Sequence, residues 1–400
     1  MTACVTRKNP NRRTLVVSMA VGAAMVSARP ARAVVTRKGA PRVIVVGAGA
    51  MGASIAYHLA RRGARVTVLE KSRPGDGGTQ GAFAMLISVH DGDTPAFNAL
   101  YGSAIEDWRR IERELAPGVQ VQWGGELAWA PAGDGAEQIG RSARQLQAWD
   151  APIRLIDPAE LRRLAPGLEP GPVAAASFAP NSGALDPMQA LRALVGAARA
   201  RGVAFRYPCR LRSFRTSGDR IVGVTTSDGA LDADMVVLAT GADTPALAGG
   251  VGVRTPIDVV SGTLAHSSPL PRALGRVLVG PAGSLKQDPD GRVVIGPDYR
   301  PSAHGTDTSA EYGARLLAEA GQVLPGLAGA RLEAMTLGYV AIPKDTLPIV
   351  GFCSAPSNLY VALTMSGITM APLMGRLAAA EIAGGAAAPE LAPYRPARFA

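Results

Sequence analysis

Arg42-Val43-Ile44-Val45-Val46-Gly47-Ala48-Gly49-Ala50-Met51-Gly52 is the stretch that decides the fold of this chain. Residues 43–46 are all β-branched and read as a buried parallel strand. The strand runs straight into G-x-G-x-x-G, which opens a helix expected over 53–62 and ended by Gly63. Arg65-Val66-Thr67-Val68-Leu69 is a second strand, and it closes on Glu70. Gly47 allows the tight turn, Gly49 lets the backbone approach a pyrophosphate, and Gly52 lets helix and strand pack closely. The helix N-terminus offers free N–H groups and a positive dipole end to the phosphates. Glu70 stands 18 residues past Gly52, where a carboxylate accepts the ribose hydroxyls of an adenosine. Strand, turn, helix, strand and acid in register define a dinucleotide site, and the acid disfavours the 2′-phosphate of NADP.

Beyond Glu70-Lys71 comes Gly75-Asp76-Gly77-Gly78-Thr79-Gln80-Gly81-Ala82-Phe83-Ala84-Met85-Leu86. An NAD domain would continue here with another helix–strand repeat. A glycine-rich loop can instead wrap a long, extended cofactor.

From this loop onward the chain resembles the D-amino-acid oxidase-like (DAO) family of FAD-dependent oxidoreductases, which includes glycine oxidase, sarcosine oxidase and D-amino-acid dehydrogenase. The likeness continues in order over 41–397. Ser182-Gly183-Ala184-Leu185-Asp186-Pro187 resembles that family's entry to a helix, with Asp186 as N-cap and Pro187 at the first helical position. Arg220-Ile221-Val222-Gly223-Val224 and Met235-Val236-Val237-Leu238-Ala239-Thr240-Gly241-Ala242 resemble its hairpin and a following strand. Pro343-Lys344-Asp345-Thr346-Leu347-Pro348-Ile349-Val350-Gly351, Asn358-Leu359-Tyr360-Val361-Ala362 and Met365-Ser366-Gly367-Ile368-Thr369-Met370-Ala371-Pro372 resemble its closing motifs.

The resemblance implies an α/β fold: a Rossmann-type FAD-binding domain (41–95, 183–250, 335–400) interleaved with an antiparallel-sheet α+β substrate domain (96–182, 251–334). The alternation of Val119-Gln120-Val121-Gln122-Trp123, the short strand at 291–296 and a helix over 309–323 suit the substrate part. Cofactor contacts fall to Gly47, Gly49, Ala50, Met51, Gly52, Glu70 and Lys71, then to Gly78, Thr79, Phe83, Ala84 and Met85 in the loop. Leu211, Thr240, Gly241, Met365, Ser366, Gly367, Ile368 and Thr369 complete the set. The last helix, expected from 368 or 369 to 383 with Gly384-Gly385 as stop, would aim its N-terminus at the flavin's pyrimidine ring. A positive dipole end there stabilises negative charge on the reduced ring.

The chain departs from the family where a carboxylate would bind. Amino-acid oxidases of this type clamp the substrate with arginine, whose fork matches a carboxylate. The two corresponding positions are Val340 and Met365. Either another cation reaches in, with Lys286, Arg292 and Arg300 as candidates, or the substrate is not a simple α-amino acid. Gly338 stands where some members carry a flavin-linking Cys, and 75–85 contains no His, so FAD is expected to be noncovalent. The candidate catalytic residues are Tyr339, Lys286 and His90, with Tyr299, His266 and His304 behind them; His58, on the first helix, reads as structural. Nothing resembles a nucleophile triad, a pair of glycosidase acids or a metal cluster.

Four hundred residues predict two domains or one large one. A chain 47% hydrophobic and 18% charged is ordinary globular protein, and Gly 47 with Pro 31 falls short of low complexity. The net charge of +10 invites a nucleic-acid partner. However, Arg7, Lys8, Arg12, Arg13, Arg29, Arg32, Arg37 and Lys38 supply eight of those charges, with no acid before residue 41. The body of the chain is near neutral and only 5% of the chain is aromatic, so no nucleic-acid partner is expected. Residues 1–40 read as a leader: Arg12-Arg13, an uncharged run over 14–28, then Ala31-Arg32-Ala33 as a cleavage pattern. That run is too short to span a bilayer. Periplasmic export by a twin-arginine-like route is expected, with a cytoplasmic protein as the alternative. Cys4, Cys209 and Cys353 are too few for a disulfide framework and leave a single Cys209–Cys353 bridge open.

The expected chemistry is oxidation of a C–N bond in an amine or amino acid. Hydride passes from carbon to FAD, and the imine hydrolyses in water. The electron acceptor is oxygen or a quinone-type carrier. Two other readings stay open: oxidation of a C–O bond in a hydroxy acid, and an FAD subunit that only relays electrons.

Overall fold

The computed structural model describes residues 39–92, 94–296 and 305–400. The expectations for the leader, Tyr299, Arg300 and His304 lie outside those residues.

The first strand, Arg42–Val46, lies inside a six-stranded sheet, parallel to Arg65–Leu69 on one side and Met235–Leu238 on the other. Ala204–Arg206 and Leu359–Leu363 extend the sheet in parallel, and Ile349–Phe352 closes one edge antiparallel. Val43 and Val45 enter one apolar cluster while Ile44 and Val46 enter another, so the sheet is buried on both faces. This explains why the strand is an unbroken β-branched run. Helices Ala50–Arg61, Pro95–Leu115, Pro187–Arg199 and Gly367–Gly384 build the first cluster. The other face meets the antiparallel strands Leu211–Ser217, Arg220–Thr226 and Gly229–Asp232. The first and last helices approach closely at Gly375, where an added Cβ would lie 2.2 Å from Ser54 Oγ.

An eight-stranded sheet runs in the order Leu332–Pro343, Ile257–Ser267, Val293–Gly296, Gly283–Gln287, Val277–Gly280, Glu126–Ala130, Ala175–Ala179, Arg154–Ile156. It is antiparallel except where Val277–Gly280 pairs in parallel with Glu126–Ala130. Period-two alternation separates its faces. Leu127, Leu278, Leu285, Val293 and Ile295 pack beneath helix Ala310–Val323 in one cluster. Leu264, Val277 and Val294 turn the other way, onto Phe83 and Ala184.

The chain is thus a mixed α/β protein with a Rossmann-type half and a largely antiparallel half. Asp186 caps its helix by accepting from Met188 N and Gln189 N, with Pro187 at the first helical position. Gly385 ends the last helix at φ +70°. Residues 119–123, expected in the large sheet, contribute only Val121–Gln122 to a small sheet with Met85–Leu86 and Gly183–Leu185. Helix Pro95–Leu115 presents Phe97, Leu100, Tyr101, Ala104, Ile105, Trp108 and Ile111 to the nucleotide-side core. Among the described residues no helix is long and apolar enough to cross a membrane.

Candidate functional site

The fingerprint glycines are required by close approach. Gly47 has φ +100°, and a Cβ there would lie 2.3 Å from Ala239 O. A Cβ on Gly52 would lie 1.9 Å from Gly47 O. Gly49 caps the helix with no side chain, so the Met51 and Gly52 N–H groups are left to a phosphate. Thr79 Oγ1 accepts from Ala50 N at 3.1 Å, which brings the glycine-rich loop to the same helix end. Met51 is buried in the core and can offer only its backbone.

Glu70 ends the second strand. Its Oε2 accepts from Ala48 N at 2.9 Å and its Oε1 from Ser72 N at 3.0 Å. Its carbonyl accepts from Cys209 N at 2.7 Å, which draws Leu211 toward the same end of the sheet. Lys71 is paired with Asp243. Thr240 bonds Thr244 through their hydroxyls at 2.9 Å, and Gly241 follows at φ +52°.

From the helix end the loop runs along the edge strand Leu332–Pro343. A Cβ on Gly78 would lie 2.7 Å from Tyr339 O. Ala84 takes φ +59°, a conformation costly for a residue with a Cβ. The loop then reaches the last helix: Thr369 Oγ1 donates to Met85 O at 3.1 Å and accepts from Ile87 N at 3.3 Å. Met365, Ser366, Gly367 and Ile368 stay half-buried beside it. Ser366 makes no side-chain cap bond, and its Oγ lies 2.9 Å from Tyr101 OH. Hydrogen bonds thus link Glu70 to the turn before the Gly49–Ala50 helix end, that helix end to the loop, and the loop to the last helix's first turn.

The candidate catalytic residues fare differently. Lys286 is 1% exposed, and its Nζ donates to Leu185 O and to Asp288 Oδ1, both at 2.6 Å. It also lies 5.8 Å from the centre of the Phe83 ring. Phe83 itself packs into the sheet cluster. Burial outweighs the lysine and raises the Asp288 carboxyl's pKa above its ordinary value. Arg292 is engaged at the surface with Asp290 and Glu333. Tyr339 is 48% exposed, and alternation puts it on the opposite side of its strand from Gly338 and Val340. His90 stacks on Tyr101 at 4.6 Å and accepts from Gly92 N through Nδ1 at 3.0 Å. It therefore lies one ring away from the last helix's N-cap. His266 bonds Thr336 Oγ1 at 3.0 Å, with its pKa lowered by burial and then by Lys286. Cys209 and Cys353 are both buried and unpaired.

Trp108, Tyr101 and Asp107 were not singled out from sequence, yet they grip the last helix directly. A signal was present: Pro372 inside a predicted helix implies a carbonyl in need of another donor.

Comparison with known proteins agrees with this geometry. The family described as "FAD dependent oxidoreductase" (DAO) matches residues 42–381. The 4-methylaminobutanoate oxidase (formaldehyde-forming) of Paenarthrobacter nicotinovorans is 28% identical over 84% of this chain and 43% of its own length. Monomeric sarcosine oxidase of Streptomyces avermitilis is 26% identical over 90% of this chain and 97% of its own. The crystal structure of glycine oxidase from Geobacillus kaustophilus has a TM-score of 0.80 at 24% identity, covering 89% of this chain and 98% of that one. The chain spans less than half the length of the first curated relatives it matches. These residues suit FAD: Glu70 for a ribose, the uncapped Gly49–Ala50 helix end for the pyrophosphate, and the Gly78–Met85 loop with the uncapped Gly367–Thr369 turn for a flavin. The chain belongs to the DAO family of FAD-dependent oxidoreductases.

Proposed function

We propose that this protein oxidises the C–N bond of a small secondary or tertiary amine. The observation that carries the reading is the commitment of Lys286 and Arg292 to carboxylates of the protein itself, while Val340 and Met365 are uncharged. An amine whose carboxylate is remote or absent needs no clamp at these places. The relatives named for 4-methylaminobutanoate and sarcosine act on N-methyl amines by their names, which supports the same class.

Bound FAD supplies the hydride acceptor. The chain's task is positioning. The amine reacts in its neutral form, whose nitrogen lone pair is available as the carbon loses hydride. The resulting iminium takes up water to give an aldehyde and the shortened amine. Oxygen or a quinone-type carrier then removes the electrons.

Anaerobic bleaching of the yellow protein tests this with a panel of N-methylamines, D-amino acids and hydroxy acids. Bleaching by N-methylamines with release of formaldehyde supports it. Bleaching by hydroxy acids alone, or by nothing in the panel, overturns it. The export reading rests on Arg12-Arg13 and Ala31-Arg32-Ala33. A mature mass lacking residues 1–33 supports it, and an intact N-terminus overturns it.

A further inference from the structure

Pro372 lies inside helix Gly367–Gly384, four residues after Ile368. It has no N–H, so the Ile368 carbonyl loses the partner that an α-helix would supply. The Trp108 indole takes that place. Its Nε1–H donates to Ile368 O at 3.0 Å and to Thr369 O at 3.0 Å. Trp108 is 1% exposed, so these bonds form away from solvent. Two more side chains of helix Pro95–Leu115 hold the same helix: Tyr101 at Ser366, and Asp107, which accepts from Arg376 Nε at 2.9 Å.

The turn held in this way is the one that meets the cofactor loop. Thr369 bonds the backbone of Met85 and Ile87 on either side of Leu86. The uncapped N–H groups of Gly367, Ile368 and Thr369 carry the positive end of the helix dipole beside the cofactor loop. Their direction depends on the pitch of this first turn, and a proline-freed carbonyl is where that pitch would relax.

We propose that Trp108 is a positioning residue for the flavin: by supplying the N–H that Pro372 lacks, it holds the Gly367–Thr369 turn where it stabilises negative charge on the ring. This rests on the FAD site and not on which substrate is oxidised.

Sulfite is the probe, because its addition to an oxidised flavin leaves negative charge on the ring and needs no substrate. In the Trp108→Phe holoenzyme, sulfite is expected to bind about tenfold more weakly, the loss equivalent to one hydrogen bond. Pro372→Ala restores a backbone N–H opposite Ile368 O. In that background Trp108→Phe is expected to change sulfite affinity less than about threefold, since the two donors substitute for one another. Unchanged sulfite affinity in Trp108→Phe, or an equal loss in both backgrounds, overturns the proposal. Should Trp108→Phe fail to retain FAD, β-(3-benzothienyl)alanine at position 108 keeps the shape, lacks the N–H and is read by the same criteria. A negative amine panel leaves this measurement unaffected, so the two failures are distinguishable.

Discussion

Gly81 and Gly338 cross backbone on backbone. A Cβ on Gly81 would lie 2.2 Å from Gly338 Cα, and a Cβ on Gly338 would lie 2.5 Å from Gly81 O. The cofactor loop therefore rests directly on strand Leu332–Pro343, and neither position admits a side chain. A thiol at 338 would have to displace the loop, which is a physical reason to expect noncovalent FAD. Gly338→Ala should cost about 1–3 kcal/mol by overpacking and reduce flavin content. Urea denaturation and the 450 nm to 280 nm absorbance ratio measure both effects. Normal stability with full flavin would show that the crossing is loose.

Glu70 joins the turn at Ala48 to Ser72, at the end of the second strand, through one carboxylate. Glu70→Gln keeps the shape and removes the charge. FAD binding to the apoprotein should weaken by about 1.5–3 kcal/mol, the range for a hydrogen bond to a charged group. Fluorescence titration of FAD reports it, and an unchanged Kd would remove Glu70 from the site.

Lys286 and Asp288 form a pair at 1% and 13% side-chain exposure. Lys286→Met would leave Asp288 buried without its partner and free the Leu185 carbonyl. The expected cost is about 3–5 kcal/mol of stability. A direct catalytic role predicts the opposite pattern: near-normal denaturation with lost turnover.

His58 is 91% enclosed between the first and last helices, and its Nε2 has no hydrogen-bond partner. Burial first, then Arg61, lowers its pKa to about 4, while Glu114 opposes and Arg376 and Arg110 add to the lowering. The unfolded chain protonates this ring near pH 6.5, so its contribution to stability is present above that pH and is lost as pH falls through 4. The loss is on the order of 3 kcal/mol. His58→Leu should flatten the acid side of a Tm-against-pH curve between pH 6.5 and 4. A curve parallel to the wild type would mean that His58 titrates normally.

Glu126 has the opposite sign. Burial raises its carboxyl to about 7, and Ser182 lowers it only in part. Its stabilising contribution is complete below the ordinary carboxylate range and is lost as pH rises through 7. Glu126→Gln should therefore gain Tm relative to the wild type as pH goes from 5 to 8. A difference that stays constant with pH would refute the shift.

The two kinds of residue differ in how far apart their partners lie. Gly52 and Glu70 act on neighbours within one strand–turn–helix–strand unit, and Gly47 turns the chain there at φ +100°, so their spacing carried their roles; the approach of Ala239 to Gly47 was not visible. Asp186 and Pro187 began their helix for equally local reasons. Lys286 was a candidate clamp because the arginine positions hold Val340 and Met365; its pairing with Asp288 is local, but its second acceptor, the Leu185 carbonyl, is 101 residues away. Tyr339 was a candidate for positioning a substrate, and alternation turns it to the opposite side of its strand from Gly338 and Val340. Helix Pro95–Leu115 was not read from the sequence, and its contact with the last helix depends on packing between segments far apart in the chain.

Sequence alone therefore determined the nucleotide half, its acid, its loop and the family, because those depend on backbone conformation and on contacts within a few tens of residues. Tertiary structure decided which charges were already neutralised, which glycines cross, and that Trp108 supplies the N–H missing at Pro372, 264 residues away. Such pairings arise only when packing brings distant segments together, and a buried polar group is satisfied by whatever donor packing places beside it.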